Sequence, residues 1–403
     1  MTGNISRATR GTYLAFIGAG FAFASWAARI PQVRDGLHLS AADLGLVLLS
    51  LAAGALIALP LAGAIVHRFN SRRTVATMSL LLAVGLVTVA IGYRTGVAGV
   101  VIGLFVVGFA NGAWDVAMNV QGALVERQRG RSIMPRFHAG FSVGTVAGAL
   151  VATLMVAVHV SVTVHLLGVA GLIAATMPLA VQDFLPDVNT DVDTETTPDA
   201  PAEKSAETPR AATALTRWLE PRTLLIGVVV LAFAFTEGSG NDWISVALID
   251  GYGVPAAVGS LGFAAFLTAM TTLRWFGTGL LDRYGRVTVL RGLSLVAIAG
   301  LALFVFSPWT PLAFAGALLW GAGASLGFPV GMSAAADDPT AAAGRVSVVA
   351  SIGYCAFLGG PPLIGFVGSH DTVLHALLAV AVLLSVAMTL VGALRPLPGA
   401  AGS

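Results

Sequence analysis

Runs of about 20 apolar residues, the length that crosses a hydrocarbon core as a helix, recur twelve times along this chain with only short polar interruptions. Inside lipid a backbone must satisfy its own N–H and C=O groups, so such runs read as helices and the chain as an all-α membrane protein. The expected spans are 11–33, 44–66, 74–93, 97–124, 136–158, 160–181, 222–247, 256–281, 287–306, 310–333, 344–368 and 371–394. Composition agrees: 56% hydrophobic, 10% charged and a mean hydropathy of +0.86, against roughly a quarter charged in a soluble chain. Soluble enzyme classes are thereby excluded. The 48 glycines suit helices that pack backbone to backbone in lipid. A lone cysteine, Cys355, leaves neither an intrachain disulfide nor a four-cysteine metal site. The first span is long and lacks a small-residue cleavage site, so it is expected to remain as a helix.

The net charge of +2 hides a segregated pattern. Eight of the 20 acidic residues lie between Asp183 and Glu207, and the basic residues cluster in short loops between spans. With the N-terminus inside, 18 of the 22 Lys and Arg fall on the cytoplasmic side, which is the distribution that sets membrane orientation. Arg29, Arg34 and Arg94 fall near the outer surface and Arg274 falls within a span. These clusters mark topology; they do not form the basic face of a folded domain that a nucleic acid requires. Residues 183–216, acidic and rich in Thr, Pro and Ala, have no periodic apolar face and read as a flexible cytoplasmic linker. The expected division is therefore a six-helix bundle over 1–182, the linker over 183–216 and a second six-helix bundle over 217–403.

The two halves resemble each other. The loop after the second span reads His67-Arg68-Phe69-Asn70-Ser71, and the loop after the eighth reads Asp282-Arg283-Tyr284-Gly285-Arg286. Each is a polar residue, an arginine, an aromatic and a turn residue. Aligning them brings Trp26 and Trp243 to matching depth. On these residues the chain resembles the major facilitator superfamily over nearly its whole length. The loop Asp282 to Arg286 is similar to that superfamily's cytoplasmic gating motif, whereas the first copy carries His67 where an Asp is usual. Pro31-Gln32, Pro60-Leu-Ala-Gly63 and Asp115-Val-Ala-Met-Asn119 resemble the fucose:proton symporter-like branch and its bacterial inner-membrane relatives. The branch's sugar carriers have an Asp four residues before the Pro-Gln, a position held here by Ala27. The resemblance implies two pseudo-symmetric bundles around a central site that opens alternately to each side.

Ionisable side chains inside spans usually mark a pathway, a partner or a cavity. Asn111, Asp115 and Asn119 stand at i, i+4 and i+8 of span 4 and form one polar stripe. Asp115, near the midplane, is expected either to exchange a proton as water access switches sides or to make a structural hydrogen bond. In span 7, Glu237-Gly-Ser-Gly-Asn241-Asp242-Trp243 has two glycines able to loosen the helix. Glu237 and Asn241 are expected at a solute or proton site, with interhelical bonding as the alternative for Glu237. Asp242 is expected nearer the outer mouth, with an outer-loop role as its alternative. Arg274 needs a partner, Asp115 or Glu237, unless it holds an anionic solute group or snorkels to the surface. His138 is a relay or a helix-end hydrogen bond, and Glu126 a surface ion pair with Arg127. Trp26, Trp114, Trp243, Trp320 and Tyr354 offer flat faces with a polar tip to a ring-shaped solute, or simply pack. Gly359-Gly360-Pro361-Pro362 is expected to bend span 11.

No Gly-x-x-x-x-Gly-Lys loop or His-Glu-x-x-His motif occurs, which argues against an ATP-driven pump and a zinc protease. The reading is a secondary transporter, not an enzyme, that moves a small polar solute, sugar-like or another metabolite, by alternating access. Protons are the expected coupling ion, through Asp115 and Glu237, with no cofactor and no metal. The protein is expected as a monomer in the inner membrane, both termini cytoplasmic. Drug or metabolite efflux by proton antiport is the alternative, and a receptor or scaffold on the same fold is the alternative of another class.

Overall fold

The computed structural model describes residues 2–130, 133–187, 217–338 and 341–396. Among them no strand occurs. Fourteen α-helices follow one another: α1 Thr2–Ala27, α2 Ile30–Gly36, α3 Ala41–Thr95, α4 Val97–Arg129, α5 Met134–Ala157, α6 Val162–Ala180, α7 Pro221–Tyr252, α8 Ala256–Phe276, α9 Thr278–Phe306, α10 Thr310–Ala324, α11 Gly327–Ala335, α12 Ala342–His370, α13 Val373–Ala376 and α14 Leu378–Leu390. By length and apolar character they supply 11 candidate spans, one of which is all 55 residues of α3. At 1.5 Å per residue that helix would be about 80 Å long, more than twice a bilayer core. It is in fact two helices meeting at Asn70, whose φ of 64° and ψ of 162° break it. Among the described residues the break restores twelve crossings, an even number, so the start of α1 and the end of α14 lie on one side, here termed the terminal face. The opposite side is the distal face.

The same device recurs in the second half, where Gly285 breaks α9 with φ 75° and ψ 159°. Arg68 stacks 5.6 Å over the ring of Phe69, and Arg283 stacks 5.2 Å over that of Tyr284. The residues matched by the sequence repeat thus share backbone and side-chain geometry.

Packing follows the small residues. Gly54 of α3 lies against the backbone of Phe105, Gly108 of α4 against that of Leu51, and Gly144 of α5 against that of Ile17. In each place a side chain would collide with a neighbouring helix, so glycine permits the close approach on which association in lipid depends. Leu46, Ile102, Leu154, Val164, Leu295 and Val382 remain exposed, as a lipid-facing rim requires.

Boundaries differ from expectation mainly at the ends. α7 runs to Tyr252, five residues beyond the expected limit, and it stays unbroken through Gly238 and Gly240, where loosening was expected. Gly240 is instead packed against the ring of Phe266. α12 likewise continues through Pro361 and Pro362. Of the expected linker, 188–216 lies outside the described residues. Its first residues are held: Phe184 and Leu185 are buried, and the Asp187 carboxylate accepts hydrogen bonds from the Ser71 N–H, at 2.6 Å, and from the Ser71 hydroxyl.

Candidate functional site

A cavity of about 160 Å³ lies between the two bundles, walled by α1 and α3 on one side and by α7 and α12 on the other. Its polar lining comes from Asn241 and Asp242 of α7, Tyr354 of α12 and Trp26 of α1, with Ala27 beside Trp26; α3 contributes only apolar residues such as Leu51 and Ala55. Helix geometry explains the pairing on α7. Asn241 and Asp242 are adjacent and about 100° apart around the axis, near enough to border one cavity, while Glu237, one turn from Asn241, faces α8.

There Glu237 meets Arg274. The guanidinium donates to Glu237 Oε2 at 2.6 Å and, through Nε, to the Ser325 carbonyl at 2.8 Å. Of the partners open to Arg274 from sequence, the geometry selects Glu237. The side chains are 27% and 18% exposed, so the pair is largely withdrawn from solvent. His138 is exposed, packs edge-on to Phe16 with ring centroids 5.1 Å apart, and lies within electrostatic reach of Arg274.

The polar stripe of α4 partly serves its own helix. Asn119 Nδ2 donates to the Asp115 carbonyl at 2.8 Å and to its carboxylate at 3.3 Å. Asn111 Oδ1 is buried without a hydrogen-bond partner among the described residues. Asp115 is half-buried and within electrostatic reach of Tyr354 across the bundle interface, but it does not line the cavity itself.

The aromatic residues divide. Trp26 and Tyr354 border the cavity. Trp114, Trp243 and Trp320 are fully buried and do not border it. Trp320 is gripped edge-on by Phe266 and Phe304, at 5.4 and 5.8 Å between centroids. In the terminal-face loop, Asp282 and Arg283 are exposed, whereas Arg286 binds Asp337 at 2.6 Å and Ser333 at 3.1 Å. The Glu126 carboxylate accepts the backbone N–H groups of Ile133 and Met134, both at 2.7 Å, and so caps α5.

Three features escaped sequence reasoning. Asp242 lies deeper than a helix ending at residue 247 implies, though still in the distal half of α7: with α7 reaching Tyr252 it stands about 15 Å inside the distal end. Arg29, at the distal end of α1, is buried against its own bundle, donating to His165 Nδ1 and the Val160 carbonyl, each at 3.0 Å. Arg34 of α2 forms a two-pronged ion pair with Asp250 of α7. A pairing 216 residues apart in the chain has no local signature. Ser260 of the second bundle also donates to the Ala28 carbonyl of the first, at 3.2 Å. Among the described residues, the hydrogen bonds that join the bundles are these, and they lie at the distal face.

Comparison with known proteins places these features in context. The family model described as Major Facilitator Superfamily matches residues 12–361. An uncharacterized transporter of Sinorhizobium fredii is 30% identical over 365 residues, covering 90% of this chain and 92% of its own. Membrane protein MosC of Rhizobium meliloti is 31% identical over 355 residues, covering 86% and 80%. Among solved structures, a variant of the nucleoside transporter NupG superposes with a TM-score of 0.77 at 16% identity, over 97% of this chain and 99% of that one. A variant of the Escherichia coli fucose:proton symporter FucP superposes with a TM-score of 0.60 at 15% identity, over 97% and 99%.

Proposed function

We propose, from the premise that this chain belongs to the major facilitator superfamily and is a multi-pass membrane transporter of some solute, that it carries a small polar solute by proton-coupled alternating access. The observation that carries the reading is the cavity between the bundles, bordered by the carboxylate of Asp242, with Arg274 outside its lining and paired with Glu237. A solute held there touches both halves, so a rocking of one half against the other exposes it first to one face and then to the other. The distal ends are joined by Arg34 and Asp250, which fits a state closed on that side. The arginine distribution supports a terminal face in the cytoplasm of an inner membrane.

Asp115 and Glu237 are the proton sites in this scheme. Protonation of Asp115 removes a charge beside Tyr354 and eases closure of the bundles over the solute. Protonation of Glu237 frees Arg274 from its strongest partner and so links proton uptake to the contact between α7 and α8. Asn111, Asn119, Asn241, Trp26 and Tyr354 contribute hydrogen bonds and ring contacts, and His138 lies on the route from the terminal face. The loop residues Asp282, Arg283 and Arg286 govern opening at that face.

Proteoliposomes under an imposed pH gradient test the scheme, with labelled uridine, L-fucose, glucosamine and tyramine as probes. Accumulation of one probe, with a matching proton flux that falls at least tenfold in Asp115→Asn, is the expected result. Accumulation with equal proton flux in Asp115→Asn and wild type would remove Asp115 from the scheme. Expulsion of many hydrophobic cations would instead support antiport.

A further inference from the structure

The cavity is one-sided in its chemistry. Asp242 borders it and has no hydrogen-bond or ion-pair partner among the described residues. Beside it the Asn241 Oδ1, also an acceptor, is buried with no partner. Opposite stand Ala27, Leu51 and Ala55, which offer neither charge nor side-chain donor, and the ring of Trp26; the ring of Tyr354 borders the cavity from α12, on the same wall as Asp242. The charged groups nearby do not redress this. Arg274 is held by Glu237 and the Ser325 carbonyl, and Asp115, within electrostatic reach of Tyr354, is a second acidic group. A withdrawn carboxylate without a counter-charge and an amide oxygen without a donor are both unfavourable. They become favourable when a donor-rich cation enters. Aromatic faces attract the same kind of group.

We propose that the solute recognised in this cavity is a protonated amine: its ammonium group docks on the Asp242 carboxylate and Asn241 Oδ1, and its ring or apolar face lies against Trp26 and Tyr354. The inference rests on the transporter reading and adds the solute class to it. It also gives Asp242 a task separate from the proton sites Asp115 and Glu237. A neutral sugar or nucleoside of the same shape leaves the carboxylate unpaired, and a carboxylic acid adds repulsion, so both are discriminated against.

Two matched triplets test this with the full chain in nanodiscs: tyramine, tyrosol and 4-hydroxyphenylacetate; and glucosamine, glucose and glucuronate. In at least one triplet the amine is expected to bind ten times or more tightly than its neutral and acidic counterparts, in sodium-free buffer. Asp242→Asn is expected to erase that preference and Asp242→Glu to retain part of it. Without ligand, Asp242→Asn is expected to melt at or above the wild-type temperature, because it removes an unpaired charge; a purely structural carboxylate would give a lower value. Preference for the neutral or acidic member, an amine preference that survives Asp242→Asn, an absolute need for sodium, or no binding by either amine each overturns the inference. Proteoliposome counterflow separates this from the parent reading. Exchange of glucose or tyrosol without amine binding leaves transport standing and removes the amine, whereas amine binding with no exchange of any probe keeps the site and removes transport.

Discussion

Glu237 and Arg274 sit where a charge costs most to leave alone. Breaking a fully buried pair by removing one partner destabilises by about 3–5 kcal/mol, whereas exposed pairs contribute about 0–1 kcal/mol. With exposures of 18% and 27%, about 1–3 kcal/mol is expected for Arg274→Met. The double change Glu237→Gln with Arg274→Met removes both charges, so its melting temperature is expected to exceed that of Arg274→Met alone; a double variant less stable than the single one would show that the pair is not the source of the cost. Sequence made the two residues visible as ionisable groups within spans but left the choice of partner open. Axial depth can be counted from residue numbers, whereas the lateral neighbour across a cavity depends on how α7 and α8 rotate against each other. The depth of Asp242 is less legible for a related reason: it depends on where the helix ends, at Tyr252 rather than at residue 247.

At the scale of elements, the repeated loop break was the most legible feature, because two short motifs of the same residue types must meet the same steric demand. Asn70 and Gly285 both take a positive φ with an extended ψ, a region that is essentially glycine's own and costs a larger residue about 1–3 kcal/mol. Asn70 offsets part of this, since its Oδ1 accepts the Arg73 N–H at 2.9 Å and caps the returning helix, worth about 1 kcal/mol relative to Ala. Asn70→Ala is therefore expected to lower the melting temperature, while Asn70→Gly matches or exceeds wild type; a fall with glycine as large as with alanine would contradict the strain. The start of α7 is less legible, because its first support, Arg345, comes from far along the chain. Glu220 accepts from Arg345 Nε at 2.6 Å, from Arg217, and from the Thr223 hydroxyl at 2.8 Å. Arg345, with help from Arg217 and Thr223, holds its carboxyl down at about 2 against an ordinary 4.5. A lowered folded-state value means stability that is fully present above pH 4.5 and disappears as pH falls through 2. The melting-temperature gap between wild type and Glu220→Gln is thus expected to be constant from pH 7 to 5 and to close toward pH 2. A gap unchanged at pH 2.5 would place the contribution elsewhere.

For the molecule as a whole, twelve crossings, the division into halves and the shared loops were readable because each depends on apolar length or local repetition. The state of the bundles was not, since it rests on contacts between residues far apart in sequence. At the distal face α3 and α12 touch through backbone: a side chain at Gly45 would meet the Pro361 carbonyl and Pro362 Cα at 2.6 and 3.0 Å, and one at Gly365 would run into the Ala41 carbonyl. Arg34 and Asp250 add the ionic link, with Arg34 also held at 2.8 Å by Asp35. A partly exposed pair of this kind contributes about 1 kcal/mol at most, and a bias of that size shifts a two-state population roughly fivefold. Arg34→Ala is therefore expected to raise the distal-open fraction by no more than about that factor and to leave the fold intact, while Gly45→Val, which forces the backbones apart, shifts it further. Spin labels at the exposed His38 and Asp371, in a Cys355→Ala background, report the distal gap by pulsed dipolar spectroscopy. The wild type is expected to show mainly a short distance and Arg34→Ala an added longer population. Exchanging the charges, Arg34→Asp with Asp250→Arg, rebuilds an ion pair between the same helices beside an Asp35 that now repels one end, so it is expected to recover part of the short population. If the exchange recovers none of it while Gly45→Val opens the gap, closure depends on backbone contact alone and the ion pair only follows it.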